Sequence, residues 1–399
     1  MNIIVQKFGG TSVATQESRQ RVMEIIAEAK KEYEGVIVVV SAMGRYGAPY
    51  ATDTLLSLIN HDTKKISEYE SDLLMSTGEL ISAVVLSYQL NECGIRAKAL
   101  SGPNAGIITD NRHTKASVTR VENAHIMNLL QQGYIVIVPG FQGRTEEYEV
   151  TTLGRGGSDT SAAILGEAFQ AKAIEIYTDV DGIMTADPKL CAQAKSIDYI
   201  TYHEVFQMAD SGAKVIHKGA VEIAQRANIP LLIKNTFSKH SGTSIMDARL
   251  FERQLSIEDK LITSIAHKVQ RVQLTVMGNM DDDQFFGELA QSGVSIDIIN
   301  IFPKLRVFTI DQSKKDKAIE VIEKYQVPYE LIEDCAKVTV VGEKMTGVPG
   351  VMARIVHALK QEGIEILQTA DSLSTISCLV HTKDVEKAVK ALHHIFDLG

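Results

Sequence analysis

The sequence predicts an α/β chain in which a three-layer domain with a mainly parallel central sheet is followed by two copies of a small α+β unit. Three observations carry this. Strand-like runs at 2–8, 36–40, 96–100, 134–138 and 173–177 alternate with helical patterns, the order that builds a parallel sheet flanked by helices. One of them, Val36 to Val40, is nearly continuous in β-branched residues, as expected of a strand buried on both faces. The last third repeats itself: Gly293 and Gly363, Ile296 and Ile366, Ile310 and Val380, and Ala318 and Ala388 each stand 70 positions apart.

A chain of 399 residues with 45% hydrophobic and 23% charged residues can bury a sizeable core and form two or three domains. The net charge is −9 and no basic patch is interleaved with aromatics, which argues against a nucleic-acid partner. Cys93, Cys191, Cys335 and Cys378 are widely spaced, suggesting neither a zinc site nor a disulfide framework but reduced thiols in a cytoplasm. No basic leader opens the sequence and no run of eighteen apolar residues occurs, so neither secretion nor a membrane partner is expected.

Taken in order, the strand from Asn2 to Phe8 ends in Lys7, Phe8, Gly9 and Gly10, before a helix expected from Thr15 to Tyr33. This is a strand, glycine turn and helix, yet not the G-x-x-x-x-G-K-[ST] nucleotide loop, because the lysine precedes the glycines. The strand at Val36 to Val40 runs into Ser41 and then a glycine- and proline-containing loop with Thr52; loops at the carboxyl ends of parallel strands are where such folds bind ligands. A helical pattern from Lys65 to Leu90 is punctuated by Ser76, Thr77 and Gly78 just before Glu79. Glu79 then reads either as a first-turn glutamate facing the helix dipole or as a carboxylate that accepts from a substrate ammonium.

The stretch Thr152 to Ser161 reads TLGRGGSDTS. Its glycines permit backbone angles that side chains forbid. Ser158 and Asp159 are placed to cap a helix from about Thr160 to Phe169, and Arg155 offers a two-pronged donor for a carboxylate or phosphate. A plain strand-to-helix turn with a solvated arginine fits the same letters. After the next strand, Thr178, Asp179, Asp181, Gly182 and Asp187 crowd a loop ended by Pro188; without the spacing of a calcium loop, it suits a nucleotide border. Lys214, followed by His217 and Lys218, precedes another helix, where a lysine is unfavourable for the dipole unless an anion compensates.

The repeat units each read strand, helix, strand, strand, helix, with opening strands at Gln273 to Met277 and Lys337 to Val341. Only the second has the turn MTGVPGV before its helix, whose free N–H groups suit a carboxylate; the first has the acidic NMDDDQF there.

The ordered set KFGGTS (7–12), STGE (76–79), TLGRGGSDTSA (152–162) and TDVDGIMTADP (178–188) resembles the aspartokinases, and the resemblance spans nearly the whole chain. It implies an amino-acid-kinase catalytic domain at 1–245, a connector at 246–262, and two ferredoxin-like ACT units at 263–332 and 333–399. The implied reaction is ATP-dependent phosphorylation of the aspartate side-chain carboxylate, the first step towards lysine, diaminopimelate, threonine and methionine. Lys7 and Lys214 would neutralise ATP phosphates, with Asp159 orienting the lysine or the metal-bound phosphates. Arg155 would clamp the α-carboxylate of aspartate and Glu79 its ammonium, with Ser41, Thr52 and Ser158 beside them. Phe8, Gly9, Gly10, Thr178, Asp179, Ile183, Met184, Asp187 and Pro188 would border the nucleotide. Met184 and Lys189 stand where many relatives place tyrosine and arginine. ATP with Mg2+ is the implied cofactor, and no protein side chain is implied as a direct metal ligand.

The ACT units imply feedback by an amino acid, diaminopimelate, lysine or threonine, with contacts at Ser295, Ile296, Asp297, Val348, Pro349, Gly350, Val351, Glu365 and Ile366. They also imply a homodimer paired through those units. The 44–53 loop and GVPGVMARIV look most like the diaminopimelate-sensitive type of spore-forming bacteria. The other readings are a non-catalytic amino-acid sensor and a kinase of the same fold acting on glutamate, acetylglutamate or UMP. A fused homoserine dehydrogenase is not expected.

Overall fold

The computed structural model describes residues 1–59, 66–213, 216–247, 261–345 and 347–399. Lys214 and most of the connector expected at 246–262 lie outside the described residues. Two compact units result: Met1–Ile183 with Ser196–Val205 and Val215–Ser256, and Ile257–Gly399 with Met184–Lys195 and Phe206–Lys214.

The first unit is built on an eight-stranded sheet. Its order is Tyr199–Thr201, Thr243–Met246, Leu231–Asn235, Ala173–Thr178, Ile3–Phe8, Gly35–Val40, Ile135–Pro139 and Ala97–Ala99. Neighbours run parallel except Leu231–Asn235 against Thr243–Met246, so the sheet is mixed. Every residue of Gly35–Val40 is buried, as the β-branched run requires, and each such side chain removed from water contributes roughly 1.5–3 kcal/mol. Its outer layers include the helix Gln16–Glu32, capped by Thr15, and the long helix Glu68–Glu92, with Val22, Ile26, Leu86 and Leu90 in one core with the strands. By length and composition Glu68–Glu92 is apolar enough to cross a membrane; half of its most apolar window is buried within the protein.

Two expectations are corrected here. The helix carrying Glu79 is unbroken: Gly78 sits in its interior, not at a start. A side chain at Gly78 would come within 2.6 Å of the Tyr50 carbonyl, so this glycine permits a close approach instead of ending a helix. The helix expected from Thr160 begins earlier and spans Gly157–Ala168, so Ser158 and Asp159 lie inside its first turn and the cap is Gly156. A second, four-stranded sheet was not foreseen. Its order is Val118–Val121, Ile107–Thr109, Gln142–Arg144 and Val150–Thr152, and strands of three or four residues leave no readable alternation.

In the second unit the repeat has the expected order of elements. Asp282–Gln291 and Lys315–Lys324 are the helices of the first copy, Val351–Gln361 and Val385–Ile395 those of the second. The matched positions behave alike: Ile310, Val380, Ala318 and Ala388 are all fully buried, and Gly293 and Gly363 have φ of 71° and 68°. All strands join one six-stranded sheet, ordered Ile296–Phe302, Leu305–Asp311, Ser264–Met277, Tyr329–Val341, Thr375–His381 and Gln368–Asp371. The two central strands are long and serve both copies. Ser264–Lys268 pairs with Lys337–Val341 beside the second copy's strands, and after register shifts Gln273–Val276 pairs with Tyr329–Ile332 beside the first copy's. The copies are therefore interlocked through shared strands.

Candidate active site

Strand Val150–Thr152 delivers the chain into the glycine turn. Gly156 has φ 74°, and any side chain there would collide with the His217 ring, so only glycine meets both demands. The helix that follows has no side-chain cap, which leaves its first N–H groups open to an anion. Asp159 in that first turn lies 2.7 Å from Lys7 Nζ. Its Oδ1 is buried without an aligned hydrogen-bond donor, so the contact is an ion pair with acceptor capacity left over.

These groups open onto a cavity of about 510 Å³ lined by Lys7, Gly10, Ser41, Thr52, Glu79, Arg155, Ser158 and Asp159, together with Arg45, Tyr46 and Phe141. The structure thus gathers residues from five separate stretches of sequence. Arg155 is exposed to the cavity and, among the described residues, pairs with no carboxylate. A cavity of about 570 Å³ elsewhere in this unit, beside Val118–Val121, contains Glu167 and Arg226. Those two are already joined by paired bonds of 2.8 and 2.6 Å, so it presents less unsatisfied charge than the Glu79 cavity.

Glu79 is only 3% exposed. Thr52 Oγ1 donates to its Oε1 at 3.3 Å, while Oε2 is buried with no partner. Burial pushes its carboxyl up to about 7, against the opposing pull of the Glu79 and Ala42 backbone N–H groups and the Thr52 hydroxyl. A buried acceptor of this kind is suited to a cation, and a bound ammonium would return it to the ionised form.

The sign of the pH effect follows. Because the folded value lies above the usual 4.5, the stability associated with protonated Glu79 is fully present below about 4.5 and is lost as pH rises through 7. Binding an ammonium near neutral pH should therefore release a proton. We expect calorimetry in two buffers of different ionisation enthalpy to show that release for a ligand bearing an ammonium group, and the affinity for such a ligand to fall up to about tenfold per unit as pH falls below 7. Glu79→Gln should abolish both the proton release and the slope.

The expected nucleotide residues have the following settings. The Phe8 side chain is fully buried and stacks on Tyr177 with ring centres 4.8 Å apart, leaving its backbone alone for contacts. Asp179 is paired with Arg45 at 2.6 Å, a partner 134 positions away that no local pattern signals. Thr178 ends its strand and Ile183 is buried, its N–H donating to Thr243 Oγ1. Met184, Asp187 and Pro188 belong to the second compact unit, where Asp187 Oδ1 accepts from the Lys189 N–H at 2.9 Å. Among the expected effector residues, Asp297 is paired with Lys337 at 2.6 Å. Ser295, Val348, Pro349, Gly350 and Glu365 are exposed, Ile366 is half-buried and Val351 is buried at the start of its helix.

The sequence matches the amino acid kinase family over residues 2–235 and the ACT domain over 330–394. It is 43% identical to Aspartokinase 1 of Bacillus subtilis, with all of both chains covered. Among solved structures, it resembles E. coli aspartokinase III in complex with aspartate and ADP, with a TM-score of 0.75, 26% identity and 99% of each chain covered. The same enzyme in complex with lysine and aspartate gives a TM-score of 0.74 at 25% identity, covering 98% of this chain and 99% of that one. With three of its four motifs lining one cavity and its full length aligned, the chain belongs to the aspartokinases.

Proposed function

We propose that the Glu79 cavity is where this aspartokinase holds L-aspartate as a zwitterion for phosphorylation. The enzyme transfers a phosphoryl group from ATP to the side-chain carboxylate, giving 4-phospho-L-aspartate and ADP. The observation that carries the site assignment is the pairing, in one cavity, of the unpartnered Glu79 Oε2 with the unpaired Arg155. Arg155 takes the α-carboxylate, Glu79 and Thr52 take the ammonium, and the side-chain carboxylate is left pointing towards Lys7.

That carboxylate is the nucleophile and, with a reference pKa of about 3.9, needs no base at neutral pH. A carboxylate oxygen bonds to the γ-phosphorus as the bond to the ADP oxygen breaks, and no proton moves. What the chain supplies is positioning and relief of repulsion between two anions. Lys7 faces the transferring phosphoryl group, Ser41 and Ser158 border it, and the uncapped helix start adds N–H donors. Mg2+ bound with ATP would supply charge neutralisation on the phosphates, and Asp159, which keeps acceptor capacity beside Lys7, is the residue that would help to hold it.

Regulation is read from the second unit. The edge strand Ile296–Phe302 leaves Ile299, Ile301 and Phe302 exposed, which supports pairing of two chains through their ACT units; the amino-acid effector and the cytoplasmic setting are part of the same proposal. The deciding measurement is aspartate-dependent ADP release from Mg-ATP, repeated with diaminopimelate, lysine and threonine, with light scattering for mass. Turnover with aspartate but not glutamate, acetylglutamate or UMP is expected, with a dimer or larger assembly inhibited by one of the three amino acids. Ligand binding without turnover would instead identify an amino-acid sensor, and a monomer indifferent to all three would remove the regulatory proposal.

A further inference from the structure

We propose that Asp72 is a positioning residue for aspartate, holding the Arg155 loop at a set distance from Glu79. The inference rests on the reading of Glu79 and Arg155 as the substrate clamp. Asp72 lies on the same helix as Glu79, seven residues earlier, which is about 10.5 Å at 1.5 Å per residue and nearly two full turns. It is fully buried, an unusual place for an acid unless its oxygens are occupied.

They are occupied by the strand that leads into the arginine loop and by the 113–114 segment. Thr152 donates to it twice, from its N–H at 3.1 Å and from its hydroxyl at 2.5 Å. The Thr114 N–H donates to both oxygens at 3.1 and 2.9 Å, and His113 Nδ1 lies 3.0 Å away. Thr152 is three residues before Arg155, and its carbonyl accepts from the Ala116 N–H at 2.9 Å, tying the 113–116 segment into the same corner. Thr114 adopts φ 66°, a left-handed conformation rare for threonine, with its N–H directed at Asp72. One carboxylate thus fixes the start of the arginine loop to the helix that carries the other half of the clamp. Asp72 has no place in the lining of the cavity, so it acts through Thr152.

The test compares Asp72→Asn, Thr152→Val and Arg155→Ala with Tyr202→Phe. The last removes another buried hydrogen bond of the first unit, from the Tyr202 hydroxyl to the Ile229 carbonyl. A displaced loop is expected to raise the aspartate KM about 10- to 100-fold in Asp72→Asn, with a smaller rise in Thr152→Val. The ATP KM should stay within about twofold, and Tyr202→Phe should lower the Tm without moving either KM. Asp72 is purely structural if both variants fold with an unchanged aspartate KM, or if both KM values shift together in step with Tm. Should Asp72→Asn not fold, Thr152→Val decides by the same criterion. A raised aspartate KM in Arg155→Ala with none in the Asp72 and Thr152 variants overturns this inference alone, whereas an unchanged KM in Arg155→Ala overturns the clamp and this inference with it.

Discussion

Replacing Arg155 with alanine is expected to raise the aspartate KM about 10- to 140-fold, because loss of a hydrogen-bonded charge costs about 1.5–3 kcal/mol. The ATP KM should change little. The effect is direct because the guanidinium has no other carboxylate among the described residues to hold it, so none of the described carboxylates loses a partner and a small stability cost is expected. Arg155→Lys should recover only part of the loss, since an ammonium cannot make the paired bonds of a planar fork. Initial rates across aspartate concentrations at saturating Mg-ATP, with Tm as a control, decide the matter; equal KM values for the parent and the alanine variant would remove Arg155 from the site.

Lys7→Met is expected to act on the other parameter. Lys7 sits near the end of the Ile3–Phe8 strand, between the registered residues Val39 and Ile176, so its Nζ is aimed by the middle of the sheet and not by a loop. Only 12% of its side chain is exposed. Removing a preorganised donor from developing charge costs about 10²–10³ in kcat, and methionine retains the length of the stem. Aspartate affinity, measured in the absence of nucleotide, should be retained. The variant also leaves Asp159 without its cation in a partly buried place, so a lower Tm is expected, partly restored in Lys7→Met with Asp159→Asn. A kcat within tenfold of the parent would show that the lysine serves the ion pair and not the phosphoryl group.

The legible parts of this chain were those whose physics is local. The run Val36–Val40 announces a strand with two buried faces, and a glycine cluster before an alanine-rich pattern announces a strand-to-helix turn. The 70-residue offset announced a duplication because paired positions such as Ile310 and Val380 face equivalent cores. Illegible parts were pairings across distance. Gly78 looks like punctuation in sequence, yet it answers to the Tyr50 carbonyl 28 positions earlier. Ser158 and Asp159 look like caps, but Asp159 is drawn to Lys7, 152 positions away. Asp72 carries no motif at all, because a single acid in a helix usually faces water. The small sheet was invisible because each of its strands is too short to show a period.

The shared central strands of the second unit have a consequence for how this protein is made. Ser264–Lys268 is the first strand of this unit to be synthesised, but its neighbour Lys337–Val341 follows only after the rest of the first repeat. The nascent second unit therefore carries an unpaired strand edge, a template for wrong partners, through much of its synthesis. A truncation after residue 328 would leave that edge permanently bare and would also strip the first repeat of its outer strand, so neither copy is a unit that can be cut out and grown alone.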